Sequence, residues 1–465
     1  VQDMPRFPFL RTFEDHVFNE MRQAKFILVL IPCTGVHGET AVRDRGINRE
    51  MYHAKSIRQC MSDIIHFPSC LYQPAKVRKT FRKNMYVFFK KHVDKAMGNI
   101  VRKLPIGIQS FDKLRTENYL YVDKTEFIYQ MAYQGVPYFL SRPRRFGKSL
   151  LLSTFKAYFE GKKELFRGLA IEKLETEWKE HPVLHFSLNA ELYDSRKALE
   201  NMLERQLREW EKIYDTGGEG ITYSGRFMTI IRRAAEITGR KVVVLIDEYD
   251  KPLLRNLHNE ELQNEFRELL TAFYTVLKDA DPWLRFVFIT GVTKFAQVGI
   301  FSNLNHLNDI SLAPQYAALC GMTLPEIEAT FQPELHALAE ANKLSYEDTI
   351  EKITRRYDGY HFDFRSGIAL YNPFSVLNVL SKQVFYDYWF ASGTPTFLAE
   401  MLRKTNYDIR ELDGIEVSEV SLSDDRANIN NPVPMIYQSG YLTIKSYDER
   451  FRLYTIGYPN EEVKY

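Results

Sequence analysis

The stretch RPRRFGKS at residues 142–149 is the part of the chain whose residue types and spacing point most directly to chemistry. Its end fits the phosphate-loop template G-x-x-x-x-G-K-[S/T], with Gly147, Lys148 and Ser149 in the last three positions. In that template, backbone amides and the positive end of a helix hold phosphate, the lysine reaches the β- and γ-oxygens, and the hydroxyl ligates Mg²⁺. The spacing therefore predicts a site for a nucleoside triphosphate and its metal.

The first half of the loop departs from this template. Arg142 stands where the first glycine belongs, and Pro143 removes one backbone amide. The loop arginines add positive charge near a triphosphate, and we expect one of them, taken here as Arg145, to act in cis as an arginine finger does. The alternative is a solvated or nucleic-acid-facing patch. The predicted nucleotide contacts of the loop are Arg142, Arg144, Phe146, Gly147, Lys148, Ser149 and Leu150.

A second signal follows about a hundred residues later, where the apolar run VVVLI at 242–246 ends in Asp247 and Glu248. This pattern has the form of a Walker B element, in which a carboxylate at the C-terminal edge of a buried strand holds Mg²⁺. We predict Asp247 and Ser149 as metal ligands, and Glu248 as the base that orients and deprotonates the attacking water. The alternative for Asp247 is an acid that caps the next turn. For Asp250 a structural role is favoured.

A third signal is the run LRFVFIT at 284–290, continued by GVTK. A polar side chain at the end of this strand is expected to lie between the first two motifs, where it can sense the γ-phosphate. Thr290 and Thr293 are the candidates, and Thr293 is included among the predicted nucleotide contacts. The alternative reading is a simple Ser/Thr turn.

Strand and helix patterns alternate around these motifs. Continuous β-branched runs such as KVVVLI are typical of strands buried on both faces, and the segments between them have apolar residues at helical spacing. This alternation predicts parallel βαβ units, and hence an α/β fold with a mostly parallel, doubly wound sheet. The main expected strands are 136–140, 183–188, 241–246 and 284–290, and the main expected core helices are 149–159, 195–214, 228–238 and 259–278.

Residues 97–310 form the predicted nucleotide-binding core. Helix-like patterns at 325–341, 345–356 and 374–379 predict a helical lid subdomain over 311–430. Strand signals return in the final segment, 431–465, which is expected to be a short β-containing stub.

Residues 1–96 differ from the rest in composition, because they hold Cys33, Cys60 and Cys70 of the four cysteines. We interpret them as an atypical extension, either an appendage or upstream sequence read in frame ahead of a start at Met97. The alternative is a metal module built from Cys60, His66 and Cys70, but their spacing fits no zinc pattern.

The bulk composition excludes several classes of protein. With 45% hydrophobic residues and a net charge of +2 over 465 residues, the chain is neither disordered as a whole nor a strongly basic nucleic-acid binder. Four cysteines are too few for a disulfide framework, which favours a reducing, cytoplasmic compartment. No apolar run reaches the ~18 residues of a membrane span, so no membrane partner is expected.

From about residue 104 to 465 the chain resembles the AAA-ATPase-like family. The resemblance rests on LPIGIQSFDKLR, YVDKTEFI, SRPRRFGKSLLLST, VVVLIDEYDKPL, FITGVTKFAQVGIFSNLNHLNDIS, YDGYHF, YNPFSVLNVL and GYLTI. It implies a P-loop core, a helical lid and ATP as the ligand. Members of the family commonly continue into a PD-(D/E)xK-type nuclease domain. We interpret the terminal triplet Glu462-Val463-Lys464 as chance, and expect that domain to be absent from this chain.

The resemblance also draws attention to residues outside the motifs. In the lid, the candidates to reach the nucleotide are Arg355, Arg356, Tyr357 and Asp358. Position and resemblance place three residues near the adenine, namely Tyr121, Asp123 and Lys124.

Three functions compete at this stage. The first is an Mg-dependent ATPase that acts as a conformational switch for an attached or partner effector, which the resemblance links to a nuclease. The second is a nucleotide-binding regulatory module with negligible turnover, suggested by the missing glycine and the loop proline. The third is a nucleic-acid-associated protein of phage defence or mobile elements. Oligomerisation is compatible with all three.

Overall fold

The computed structural model describes residues 102–217, 222–294, 300–301, 304, 306–392, 398, 402–403, 408–422 and 431–465. The interpretation of residues 1–96, including their candidate metal ligands, lies outside this part of the chain. Arg102–Tyr465 form one compact unit. None of the helices in the described ranges combines the length and the hydrophobicity that crossing a bilayer requires.

The centre of the fold is a sheet of five parallel strands. These are β1 (Tyr138–Ser141), β2 (Val183–Ser187), β3 (Val242–Asp247), β4 (Leu284–Gly291) and β5 (Asn308–Asp309). Their order across the sheet is β2-β3-β4-β1-β5. Because β4 pairs with both β1 and β3, its end lies between the phosphate-loop strand and the strand that ends in Asp247, as predicted. Ser187 is level with Asp247, and Ser141 with Gly291, so these carboxyl ends share one edge of the sheet.

Helices cover both faces of this sheet. They are α1 (Phe111–Thr116), α2 (Thr125–Gln134), α3 (Lys148–Phe159), α4 (Arg196–Tyr214), α5 (Tyr223–Thr238), α6 (Lys251–Arg255) and α7 (Glu260–Asp279). All six residues of β3 are buried. Val244 packs in one apolar cluster with α4, α5 and α7, whereas Val243 packs in another with α2 and α3. The predicted α/β fold with a doubly wound sheet is therefore confirmed.

A group of three helices with its own apolar cluster follows the sheet. It comprises α8 (Leu324–Asn342), α9 (Tyr346–Tyr357) and α10 (Pro373–Lys382). Local sequence sets where they begin. Thr323 and Glu326 form a reciprocal capping box at the start of α8. The Asn372 side chain accepts hydrogen bonds from the amides of Phe374 and Ser375 at the start of α10.

The last part of the chain contains a small antiparallel sheet and short helices. The helices are α11 (Tyr388–Ala391), α12 (Glu419–Leu422), α13 (Val433–Gln438) and α14 (Glu461–Lys464). The strands are β6 (Ile415–Ser418), β7 (Thr443–Asp448) and β8 (Leu453–Gly457). Their order across the sheet is β6-β8-β7. Two expectations need correction here. Strand β6 lies within the range 311–430 that was predicted to be helical, and α13 occupies the start of the predicted β segment.

Short 3₁₀ turns connect several of these elements. They lie at Lys163–Phe166, Ala170–Lys173, Leu188–Ala190, Asp281–Trp283, Pro314–Leu319 and Ile409–Leu412.

Candidate nucleotide-binding site

The loop between β1 and α3 places two of its residues, Arg145 and Gly147, in the left-handed region of backbone angles. Gly147 has φ +92° and precedes the first turn of α3 without any side-chain cap. A Cβ at this position would meet no atom within 4 Å, so the backbone faces open space. Arg145 also has a positive φ, +69°. Because the first amides of a helix lack partners within it, the start of α3 presents N–H groups to an anion.

Lys148 is held within the curve of this loop. Its Nζ donates to the carbonyl oxygens of Arg142 at 2.8 Å and Pro143 at 3.0 Å, and the residue is 7% exposed. Burial lowers the pKa of Lys148, whereas the nearby carboxylates, Asp247 foremost, act in the opposite direction. The ammonium group is thus fixed beside the start of α3, with backbone partners that a phosphate can replace.

Ser149 and Asp247 come together at the carboxyl edge of the sheet. The Ser149 side chain lies beside the carboxylate of Asp247 and acts to lower its pKa, and the same carboxylate accepts the amide of Glu248 at 3.0 Å. Asp247 is 5% exposed. Burial raises its pKa, and the Ser149 contact and the charge of Lys148 oppose that shift. A hydroxyl and a carboxylate at one point supply hard oxygen donors, which is the donor set that suits Mg²⁺ when phosphate and water complete it.

Glu248 lies next to this pair in an unusual backbone conformation. Its φ is +52°, in the left-handed region that side chains other than glycine seldom adopt. Its carboxylate lies 3.3 Å from Nζ of Lys251. That ammonium group in turn donates to the backbone carbonyl of Asn189 at 2.8 Å and to its side-chain oxygen. Glu248 is therefore oriented by an ion pair that is anchored just after β2.

The two threonines proposed as phosphate sensors, Thr290 and Thr293, donate their hydroxyl protons to groups of the protein instead. Both are 0% exposed. The hydroxyl of Thr290 donates to the carbonyl of Leu140 at 2.8 Å, and that of Thr293 donates to Asp250 at 2.8 Å. Because both hydroxyl protons are used by buried protein acceptors, the expectation that Thr293 contacts nucleotide is corrected to a structural role.

The three arginines of the loop fall into two environments, one buried and one exposed. Arg142 is 1% exposed and donates to the carbonyls of Ser141, Ser311 and Tyr316, which places it beneath the loop rather than among the phosphate contacts. This corrects its predicted role, because its donors face the protein interior. Arg144 and Arg145 are exposed, and the Arg145 guanidinium lies 4.8 Å from the centre of the Phe374 ring.

Phe146 anchors the loop through packing. Its ring contacts Tyr360 and Phe362 with centroid distances of 4.9 and 5.2 Å, and its carbonyl accepts the amide of Gly321 at 3.2 Å. The residue is 1% exposed. Its side chain thus holds the loop against the segment that follows α9, and its backbone carbonyl holds the loop against Gly321.

A cavity of about 1120 Å³ opens over these groups. It is lined by residues 144–151, by the acids Glu248 and Asp250, and by Pro373, Phe374 and Leu377 of α10. Its volume lies just above the range of about 300–1,000 Å³ that is usual for small-molecule sites. Of the residues expected near adenine, Tyr121 and Lys124 line it. Asp123 instead accepts the amides of Thr125 and Ala170.

The proposed lid arginines do not reach the cavity. Arg355 pairs with Glu461 at 2.8 Å, and Arg356 pairs with Asp387. Tyr357 donates its hydroxyl to a backbone carbonyl. The helical part of the chain contributes apolar residues of α10 to the cavity instead, which corrects the expectation based on resemblance.

Sequence reasoning missed Lys251 and Asn189. Lys251 is the last residue of the segment DEYDK, and Asn189 lies two residues after β2 at the same edge of the sheet as Asp247. The rule that polar residues after parallel strands gather at one edge would have identified Asn189. Nothing in the sequence indicated that Lys251 turns back toward Glu248.

Comparison with known proteins places this site in a wider group. The profile of the family described as "Predicted AAA-ATPase" matches residues 105–301, which include both the phosphate loop and the DEYDK segment. A protein of Azotobacter chroococcum mcd 1, described as "Uncharacterized protein in vnfD 5'region", is 40% identical over 369 residues, covering 78% of this chain and 68% of that protein. No solved structure matches the chain.

Proposed function

Because the chain belongs to the AAA-ATPase-like family, we propose that it binds Mg-ATP in this cavity and hydrolyses the terminal phosphate. The observation that carries the proposal is the contact between Ser149 and Asp247 beside the buried ammonium group of Lys148. These three groups come from two separate motifs and meet at the carboxyl edge of the sheet, where α/β folds bind their ligands.

Each residue has a distinct task in this proposal. The amides at the start of α3 and the ammonium group of Lys148 hold the phosphates, and Arg144 and Arg145 add charge at the cavity wall. Ser149 and Asp247 would hold Mg²⁺, which when bound supplies positive charge that offsets charge on the phosphates. Glu248 orients the attacking water and accepts its proton.

The proposed role of hydrolysis is a conformational switch. The phosphate loop contacts the later helices at two points, through Arg145 on Phe374 and through the Arg144 carbonyl, which accepts the indole N–H of Trp389 at 3.4 Å. A change in the loop on nucleotide binding therefore has a physical route to α10 and α11. We propose that an effector, attached or separate, responds to that change.

Two observations favour a second candidate, a nucleotide-binding module with negligible turnover. The carboxylate of Glu248 is engaged by Lys251, and Pro143 removes one amide from the loop. A carboxylate oxygen that is already paired with an ammonium group is less free to orient an attacking water molecule. In this case ATP would bind tightly and remain intact.

Phosphate release and ATP binding, measured on the full chain with Mg²⁺, test the proposal. We expect the wild type to release phosphate, Lys148→Ala to lose ATP binding, and Glu248→Gln to bind ATP with turnover reduced about 10²–10⁴-fold. Lys278→Ala, an exposed lysine on α7, serves as the matched control. Unchanged turnover in Glu248→Gln removes Glu248 as the base. Tight ATP binding with no ADP after several hours favours the second candidate.

A further inference from the structure

Asp250 makes contacts that no capping role explains. It precedes α6, yet its side chain makes no capping bond to that helix. Instead, its Oδ2 accepts three hydrogen bonds from the end of β4: from the amide of Val292 at 3.0 Å, and from the amide and hydroxyl of Thr293 at 2.7 and 2.8 Å. A Cβ on Gly291 would lie 2.6 Å from Oδ1, so glycine provides the room for this carboxylate.

The second oxygen of the same carboxylate is left without a partner. Asp250 is 1% exposed, and its Oδ1 has no hydrogen-bond partner among the described residues. A buried polar atom in this state costs about 1–3 kcal/mol, and more when it is charged. Asp250 also belongs to the residues that line the 1120 Å³ cavity. Because an unpaired buried acceptor is costly and Asp250 lines the cavity, its missing hydrogen-bond donor is expected to come from a molecule inside the cavity.

Two effects on the ionisation of Asp250 oppose each other. The hydrogen bonds to Oδ2 favour the charged carboxylate, whereas burial favours the neutral acid. Burial raises the pKa of Asp250, whereas the hydrogen bonds from Thr293 and the charge of Lys148 lower it. Three donors on one oxygen are the environment of an ionised carboxylate. A protonated Asp250 would leave its O–H as an unpaired donor at Oδ1, so the same position needs a partner in either state.

We propose that Asp250 is a positioning residue of the ATPase reaction, an inference that rests on the proposed function. Through Oδ2 it fastens the end of β4 to the end of β3, which sets the wall of the cavity between the phosphate loop and Glu248. Through Oδ1 it accepts a hydrogen bond from a water molecule held in the cavity beside the nucleotide. Asp250 thus joins the two strand ends and orders solvent near the site of attack.

Substituting asparagine separates these two tasks. In Asp250→Asn one oxygen remains to accept the three donors of β4, but the second acceptor becomes an N–H₂ group, which donates. We expect kcat to fall about 10–100-fold, the range seen when residues that orient a site are changed, with KM for ATP within about threefold of wild type. Asp279→Asn, an exposed acid at the end of α7, is the matched control and keeps the wild-type kcat.

Hydrogen exchange at residues 292 and 293 provides a readout that does not depend on turnover. Both amides are expected to stay protected in Asp250→Asn and to exchange faster in Asp250→Ala, which removes the acceptor for both. Thr293→Val, which loses only the hydroxyl donor, is expected to lower kcat less than Asp250→Asn does.

The outcomes separate this inference from the proposed function. If the wild type releases no phosphate, the proposed function fails. If the wild type turns over and Asp250→Asn retains its kcat, the role of Oδ1 as an acceptor is wrong. If the two amides exchange at the wild-type rate in a folded Asp250→Ala protein, the strand-end contact is wrong. Loss of ATP binding in Asp250→Asn would assign Asp250 to nucleotide affinity and overturn the positioning role.

Discussion

Gly359, in the segment YDGYHF, is a position where the packing of a distant part of the chain leaves room for glycine and for no larger residue. Its φ is +92°, and a Cβ there would lie 2.2 Å from the backbone carbonyl oxygen of Pro459. The backbone carbonyl of the neighbouring Asp358 accepts a hydrogen bond from the side-chain amide of Asn460 at 2.7 Å. The glycine is thus needed twice, for its backbone angle and for the close approach of residues that are a hundred positions away.

We therefore expect Gly359→Ala to destabilise the fold more than an alanine at a comparable open glycine. Gly367 also has a positive φ, +62°, but a Cβ there meets no atom within 4 Å. Gly367→Ala should cost about 1–2 kcal/mol from its backbone angle alone. Gly359→Ala should cost about 1–3 kcal/mol more, because the carbonyl of Pro459 must move. Urea unfolding of both variants measures the difference, and equal midpoints would contradict the contact.

At the scale of elements, α14 is attached to the helices before it through a buried carboxylate. Glu462 is 1% exposed and accepts the hydroxyl of Ser375 on α10 and the amide of Trp389 on α11, at 2.7 and 2.8 Å. Burial raises the pKa of Glu462 to about 7, and the charge of Asp387 adds to that effect, whereas the two hydrogen bonds and Arg356 oppose it. The attachment of α14 is therefore sensitive to pH.

The sign of this dependence follows from the raised pKa. The folded protein keeps the Glu462 proton up to a pH of about 7, whereas the unfolded chain loses it near the ordinary value of 4.5. The protonated Glu462 therefore stabilises the folded protein fully at pH values below the pKa of the unfolded chain. This part of the free energy of unfolding is lost as the pH rises toward 7. We expect Glu462→Gln to match the wild type near pH 4.5 and to be more stable by about 1–3 kcal/mol at pH 8.

Urea unfolding at both pH values measures this difference. Glu449→Gln, an exposed acid in the turn between β7 and β8, is the control and should follow the wild type at each pH. A Glu462→Gln protein that is less stable than the wild type at pH 8 would show that the ionised carboxylate stabilises the contact, contrary to this account.

The sequence predicted the elements that have strong periodicity and missed those that depend on distant partners. β3 and β4 were located within one or two residues, because continuous β-branched runs are read without tertiary information. β6 was missed because Ile415–Ser418 is short and becomes a strand only by pairing with Leu453–Gly457.

The same limit applies to the candidate site. Lys148, Ser149 and Asp247 were predicted from local motifs, and the structure brings them together. The burial of Arg142 was not predictable, because its acceptors Ser311 and Tyr316 lie about 170 residues further along the chain. Motif position alone therefore does not distinguish a phosphate contact from a side chain that supports the loop from within.

At the scale of the whole described unit, one residue joins the phosphate loop to the final helix. Trp389 donates its indole N–H to the carbonyl of Arg144 at 3.4 Å, and its backbone amide donates to Glu462 at 2.8 Å. A Cβ on Gly440 would lie 2.6 Å from Pro143, so the segment before β7 also packs closely on the loop. A shift of the loop has to be accommodated by Trp389.

We expect Trp389→Phe to bind ATP but to lose this connection, since phenylalanine retains the ring contacts and lacks the indole donor. Hydrogen exchange across residues 460–465 should change when the wild type binds Mg-ATP and should change much less in Trp389→Phe. Trp283→Phe, which alters a tryptophan packed against Arg232 elsewhere, is the control. An equal response in all three proteins would place the route through another contact.

The order of strands has a consequence for how the protein is made. Among the strands that the structure describes, β1 pairs with β4 and β5, whose residues leave the ribosome some 140 to 170 positions later. Until then, a nascent chain carries a phosphate loop whose supporting strand has no strand to pair with. Pairing between segments so far apart in sequence forms slowly. We therefore expect Tyr138–Leu140 to lack its strand partners until β4 has been synthesised, and an unpaired apolar strand of this kind is a segment that chaperones can bind.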